Sequence, residues 1–162
     1  MNREIEFRGF YGGYDSYSPD KKLIGEWGYG NSIDFLENDN SRPGAPQVVQ
    51  IKSYVRTSSA CKYFFCVAGT VGQYTGVSDK NGKRIYEGDI VAIHNPFSTK
   101  PHIGEVVFSK GAFGVRYSFP TGDDRFWPLS KTTTVYEDMG WKDEKDVTFE
   151  VIGNIYENPE LL

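Results

Sequence analysis

Carboxylates, histidines and cysteines are the residues of this chain that could carry catalysis or bind a metal, and they are few. The closest carboxylate pairs are Glu87 with Asp89, and Asp123 with Asp124. Acid–base catalysis needs paired groups, or a nucleophile beside a base, in one cleft. The first pair flanks a glycine at a predicted turn, where a carboxylate caps backbone amides, and the second lies in a predicted hairpin loop. Neither pair indicates an active site.

The two histidines and two cysteines match no common metal or nucleophile motif. In a strand, Cys61 and Cys66 would face opposite sides about 16 Å apart, too far for a disulfide, so we expect reduced thiols. As a metal pair they would need His94 and His102, but this spacing matches no common zinc finger. We expect structural or exposed histidines, no metal, no cofactor and no catalytic residue.

A glycine-rich segment, residues 72–76, could suggest a nucleotide-binding loop. It has no lysine in phosphate-loop spacing, and no predicted helix follows it to hold a phosphate. Glycines that bend a strand at a barrel corner explain the segment better, with Tyr74 covering an apolar interior.

Aromatic residues alternate with cations in the middle of the chain. The aromatic residues are Tyr74, Tyr86, Phe97, Phe113, Tyr117 and Trp127, and the cations are Lys80, Lys83, Arg84, Lys110, Arg116 and Arg125. Such a set could stack and hold single-stranded nucleic acid, or form a subunit interface. The interpretation we favour is that the rings form the core and the cations its outer side. The candidate binding surface is Tyr74, Lys83, Arg84, Tyr86, Arg116 and Trp127.

The charge balance does not favour a nucleic-acid binder. The 162 residues carry 18 Lys and Arg against 22 Asp and Glu, a net charge of −4, whereas a DNA-binding protein usually has a basic footprint. Residues 47–116 hold nine cations and four carboxylates, and residues 117–162 hold four and ten. We expect this asymmetry to let strands of opposite charge pair. The alternative is a local site for an anionic ligand.

Composition and turn signals predict an all-β chain. The 18 Gly, 11 Tyr, 11 Phe and 3 Trp suit strands joined by tight turns. Residues 79–82, Asp-Lys-Asn-Gly, predict a hairpin, and Gly88 with Asp89 predicts a diverging turn of the kind found in SH3-like barrels. The predicted strands are residues 3–8, 23–29, 32–36, 48–55, 63–71, 89–94, 103–109, 113–119, 125–129, 132–136 and 147–156. Residues 11–19 and 38–46 are predicted loops, residues 57–62 at most one helical turn, and residues 63–71 the central strand.

Three segments resemble the YopX-like proteins of bacteriophages and prophages. The most specific lies in residues 71–91, with Gly-Gln-Tyr-Thr-Gly and Tyr-Glu-Gly-Asp-Ile-Val around an Asp-Lys-Asn-Gly turn. The amino-terminal Arg-Glu-Ile-Glu-Phe-Arg-Gly with the later Gly-Glu-Trp-Gly-Tyr-Gly, and the carboxy-terminal segment from Glu150 to Leu161, agree in order. The resemblance implies a phage or prophage protein, and it implies no activity that could be assigned to particular residues.

The sequence thus predicts one domain with an SH3-like β-barrel, residues 61–162, and an amino-terminal β subdomain, residues 1–60. No signal peptide and no apolar run near 18 residues is visible, so we expect a protein of the bacterial cytoplasm without membrane contact. We expect a non-enzymatic, self-associating protein-binding module with a host or phage protein as a further partner. A single-stranded nucleic-acid-binding accessory protein and an enzyme of unknown class are the alternatives.

Overall fold

The computed structural model describes residues 4–14, 23–35, 48–54, 61–95, 98–118, 122–129 and 147–162. Their regular structure is twelve β-strands and two 3₁₀ helices, with no α-helix in these ranges. The predicted all-β class is therefore confirmed. Over the same residues, no helix is long and apolar enough to cross a membrane.

The chain forms two compact units, Met1–Tyr74 and Thr75–Leu162, which divide within β6. The first six strands are β1 (Phe7–Tyr14), β2 (Leu23–Gly30), β3 (Ser32–Phe35), β4 (Val48–Tyr54), β5 (Cys61–Val67) and β6 (Gly72–Ser78). The remaining six are β7 (Arg84–Tyr86), β8 (Asp89–His94), β9 (His102–Ser109), β10 (Ala112–Ser118), β11 (Asp124–Pro128) and β12 (Thr148–Asn154). The 3₁₀ helices are Ala68–Thr70 and Pro159–Leu161. The predicted boundary after residue 60 adjoins residues outside the described ranges and stays a prediction.

In the first unit, β1 pairs with β2 along its whole length and with the start of β6. A separate three-stranded sheet has the order β3-β4-β5. The core here is Val49, Ile51 and Cys66. Gly9 of β1 must be small, because a Cβ there would lie 2.8 Å from the Cβ of Cys66.

Three sequence predictions are wrong in this unit. Residues 11–14 belong to β1 and are not a loop, because β2 offers a full-length partner and the Tyr11 hydroxyl donates to Glu26, 2.7 Å away. The segment expected to be central, β5, is at the end of its sheet, and β4 is central because it pairs on both sides. The first strand starts at Phe7, later than expected. The predicted loop at residues 38–46 and the strand at residues 132–136 lie outside the described residues, as does most of the predicted helical turn.

The second unit contains a five-stranded antiparallel sheet with the order β11-β10-β9-β8-β12. Alternate side chains of these strands, together with Ile85 of β7 and the flanking residues Leu129 and Val147, form one apolar core. Its buried members are Ile85, Val91, Ile93, Val106, Phe113, Val115, Tyr117, Leu129, Val147 and Phe149. The predicted strands at residues 89–94, 103–109, 113–119, 125–129 and 147–156 are thus confirmed to within a few residues.

Both predicted turn signals of this unit are confirmed. Gly82, in the turn between β6 and β7, has a φ of 81°, a conformation that an L side chain rarely adopts. Gly88 has a φ of 80°, and Asp89 beside it is buried. The Tyr86 N–H donates to Oδ2 of Asp89, 2.8 Å away. The Asp89 carboxylate therefore caps the turn, as the sequence suggested.

Candidate functional site

A two-residue turn sets the pairing of the strands that carry the candidate site. Lys110 and Gly111 both have positive φ, 53° and 81°, the backbone of the tight turn that suits β-hairpins. With only these two residues in the loop, Ser109 pairs with Ala112, and four residues further along Glu105 pairs with Arg116.

One side of β9, β10 and β11 points away from the core of this unit. Side chains alternate along a strand and directly opposite residues share a face. Because Val106 and Val115 belong to the core, their neighbours in sequence face outward. We call this surface the outer face. Its residues are Ile103, Glu105, Val107, Arg116, Ser118, Asp124 and Phe126.

An ion pair lies at the middle of the outer face. Nη2 of Arg116 donates to Oε2 of Glu105 at 2.6 Å. The Arg116 side chain is 56% exposed, against 18% for Glu105. An exposed pair of this kind adds only about 0–1 kcal/mol to stability. Since a guanidinium has five N–H donors, Arg116 can bind a second carboxylate while it remains bonded to Glu105.

Two open grooves adjoin along the outer face and share Arg116 and Asp124. The first, about 580 Å³, is lined by Pro101, His102, Ile103, Glu105, Arg116, Tyr117, Ser118, Asp124, Leu161 and Leu162. The second, about 410 Å³, is lined by Val107, Phe108, Ser109, Lys110, Arg116, Asp124, Arg125 and Phe126. Each groove therefore combines apolar and charged residues, with one cation and two carboxylates in the first groove and three cations and one carboxylate in the second.

Local contacts position the shared residues and an apolar residue of the second groove. Oδ1 of Asp124 accepts the hydroxyl of Ser118 at 2.6 Å. The Phe126 ring lies over Gly114 of the neighbouring strand, where a Cβ would come within 2.4 Å of its Cζ atom. Phe126 thus needs a glycine opposite its ring.

The six residues predicted as a binding surface occupy different environments. Tyr74 is in the first unit and buried, and Tyr86 in the second is buried as well. Trp127 packs against the core from the face opposite Arg116. Lys83 is exposed and Arg84 is half-buried.

Burial favours the core interpretation of the aromatic residues. Phe113 and Tyr117 are also buried, within the core of the second unit. Phe97 lies outside the described residues. Of the six predicted residues, Arg116 alone is part of the outer face.

Two further residues with reactive side chains, Glu150 and Cys66, have local environments that the structure describes. Glu150 accepts hydrogen bonds from Lys80, which lower its pKa, with a second contribution from His94 at 3.0 Å. The ion pair between Lys80 and Glu150 joins the basic segment to the acidic third of the chain. Cys66 is a buried thiol whose pKa is raised to about 11 by burial. Among the residues the structure describes, no three His, Cys, Asp or Glu side chains could hold a metal.

Sequence reasoning missed Ile103, Glu105 and Phe126 as site residues. The signal was present in the Lys-Gly turn, because counting outward from a two-residue loop pairs Glu105 with Arg116. Leu161 and Leu162 could not be found in this way, because their position in the first groove depends on the chain after β12.

The chain is similar to a curated protein over about half of its length. A curated relative, the SPbeta prophage-derived uncharacterized protein YopX of Bacillus subtilis (strain 168), is 36% identical over 83 residues. The match covers 50% of this chain and 52% of that protein, so it spans about half the length of the relative.

Two solved structures align along nearly the whole chain. Protein yopX from Bacillus subtilis has a TM-score of 0.46 at 18% identity and covers 99% of both chains. Protein EF1440 from Enterococcus faecalis has a TM-score of 0.42 at 22% identity and covers 98% of this chain and 97% of its own. The family model described as YopX protein matches residues 6–162. The chain therefore belongs to the YopX family.

Proposed function

We propose that this prophage-type protein is a non-enzymatic, self-associating protein-binding module of the bacterial cytoplasm. The observation that carries the proposal is the outer face, where the exposed Ile103 and the half-buried Val107 and Phe126 lie beside charges of both signs. The prophage origin of the Bacillus subtilis relative supports a place in the phage cycle. A host or phage protein with matching surface chemistry could bind the same face as a further partner.

The mixture of charges supports a protein partner over nucleic acid. Glu105 and Asp124 line the first groove together with Arg116, and a polyanion would be repelled by both carboxylates. Stacking on single strands also needs exposed rings beside cations, whereas Tyr74 and Tyr86 are buried. The exposed Phe108 does lie with cations in the second groove, but the Asp124 carboxylate lines that groove as well. The predicted nucleic-acid role therefore ranks second.

Catalysis has little support from the described residues. Asp89 caps a turn, and Asp124 accepts a hydrogen bond from Ser118. His102 and Tyr117 have ring centroids 5.3 Å apart, and both line the first groove. This aromatic contact gives neither residue a nucleophile to activate.

We also propose that the second unit is an SH3-like barrel. Its support is the strand order, in which the last strand, β12, lies beside β8 and the meander β8-β9-β10-β11 follows. An SH3-like barrel arranges its five strands in this order. Such a barrel would leave the outer face on its exterior, accessible to a partner.

Sedimentation equilibrium of the purified protein tests self-association directly. We expect the mass to rise with concentration from 18.3 kDa toward twice that value, with a dissociation constant in the range of about 1–50 μM. A mass that stays at the monomer value up to about 200 μM would overturn the proposal. Adding an oligonucleotide and finding a salt-sensitive complex instead would place the nucleic-acid role first.

A further inference from the structure

We infer that two copies of this chain pair outer face to outer face, with Arg116 of each copy bound to Asp124 of the other. The inference rests on the proposed self-association and specifies its surface, its symmetry and its charged contact. The arrangement of residues in the two grooves favours a second copy of the chain as the molecule that binds there.

The shared centre of the two grooves supports a two-fold arrangement. In a symmetric dimer, residue i contacts residue j while j contacts i. Arg116 and Asp124 line both grooves, so an axis that passes between them brings each guanidinium to the opposite carboxylate.

Apolar residues also match under the same rotation. Phe126 is paired directly with Arg116, and Ile103 lies on β9 two residues beyond Glu105, level with Ser118 and Asp124. The axis that brings Arg116 to Asp124 of the other copy therefore runs close to the line between Ile103 and Phe126, and it brings each of these two residues to its own counterpart in the second copy. Ile103 is 41% exposed, so this contact would remove apolar surface from water on both sides.

The charged contact is compatible with the bonds present within each copy. Arg116 is bonded to Glu105, and Asp124 accepts the Ser118 hydroxyl. A guanidinium can bind two carboxylates because its donors form a planar fork, and a carboxylate oxygen has further lone pairs. Two such contacts offset the repulsion between chains of net charge −4, which salt screens beyond about 8 Å.

A ligand with charges of one sign fits this surface less well. An acidic peptide would meet Glu105 and Asp124 in the first groove, and a basic peptide would meet Lys110, Arg116 and Arg125 in the second. A second copy presents charges of both signs, and the two-fold rotation places its Asp124 carboxylate opposite Arg116 of the first copy.

Two charge reversals provide the test. We expect Arg116→Asp and Asp124→Arg each to weaken self-association by tenfold or more, because each places like charges together at both contacts. Mixing the two variants in equal amounts should restore a dimer close to wild-type affinity. In the mixed dimer, the introduced aspartate of one copy meets the introduced arginine of the other, and the unchanged Arg116 meets the unchanged Asp124, so both contacts attract. An effect confined within one chain could not be rescued by mixing.

Lys83→Asp is the matched control, since it changes the charge equally at an exposed position and should leave self-association unchanged. Arg116→Gln removes the charge without adding a carboxylate beside Glu105, and it keeps the test valid if Arg116→Asp does not fold. If the wild type is a monomer, the proposed function itself fails. If the wild type self-associates but the reversals have no effect, or mixing restores nothing, this pairing is overturned and self-association stands.

Discussion

At the scale of single residues, Asp79 shows how one carboxylate connects segments that are distant in sequence. Its Oδ1 accepts the N–H groups of Asn81 and Lys83 at 2.8 and 2.9 Å, and Oδ2 accepts that of Val151 at 3.0 Å. Burial raises the pKa of this carboxyl, but the three backbone donors outweigh burial and hold the pKa below its usual value. Asp79 therefore stabilises both the hairpin turn and its contact with β12.

We expect Asp79→Asn to destabilise the protein by about 1–3 kcal/mol at neutral pH, because charge-assisted hydrogen bonds are lost. The folded pKa is lowered, so the contribution is present above the unfolded value of about 3.9 and is lost as the pH falls through the folded value. The difference between variant and wild type should therefore shrink in acid. Urea denaturation at several pH values measures it.

Glu160→Gln is the control, because Glu160 is an exposed carboxyl in the carboxy-terminal segment. Its free energy of unfolding should stay within about 0.5 kcal/mol of wild type. A pH-independent loss in Asp79→Asn would show that shape rather than charge matters at this turn.

At the scale of elements, the turns were predictable and the faces of the strands were not. Asn-Gly and Gly-Asp signal a local backbone conformation, and Gly82 and Gly88 adopt it. The direction of a ring depends on which partner strand covers it, so the sequence leaves Tyr74 and Tyr86 open to both a surface and a core interpretation, and their burial favours the core. For the same reason, pairing with β2 extended β1 into a segment that its composition predicted to be a loop.

We expect Gly82→Ala to destabilise the fold by about 1–2 kcal/mol, because an L residue is strained at positive φ. Space is not the reason, since no atom lies within 4 Å of a Cβ built there. Gly69→Ala is a matched control with equally open surroundings and no positive φ, and it should be close to neutral. Equal unfolding midpoints for the two variants would refute the strained turn.

Lys110→Asn should stabilise the protein by about 0.5–1 kcal/mol, because Asn tolerates the left-handed conformation that Lys110 adopts at a φ of 53°. Lys100→Asn, at an exposed position without positive φ, should have no measurable effect. Thermal unfolding of both variants compares them. A lower melting temperature for Lys110→Asn than for Lys100→Asn would argue against the two-residue turn and the strand register that follows from it.

At the scale of the whole molecule, the central claim is self-association through the outer face of the second unit. Pairing along an edge of the first strand is not its origin, because β1 pairs with β2 on one side and β6 on the other. The exposed Ile103 and the half-buried Phe126 beside an ion pair provide the contact surface. The alternation of inward and outward side chains along each strand can be read from the sequence. Only the register of β9 with β10 shows which residues of the two strands lie side by side on the outer face.

The most direct test compares two exposed isoleucines of the second unit by sedimentation equilibrium. Ile103 on the outer face is 41% exposed, and Ile152 on β12 is 37% exposed, so replacing either by Glu alters a similar surface. We expect Ile103→Glu to sediment as a monomer at concentrations where wild type and Ile152→Glu associate. Association that survives in Ile103→Glu, or that is lost in Ile152→Glu alone, would contradict the outer face as the site of self-association.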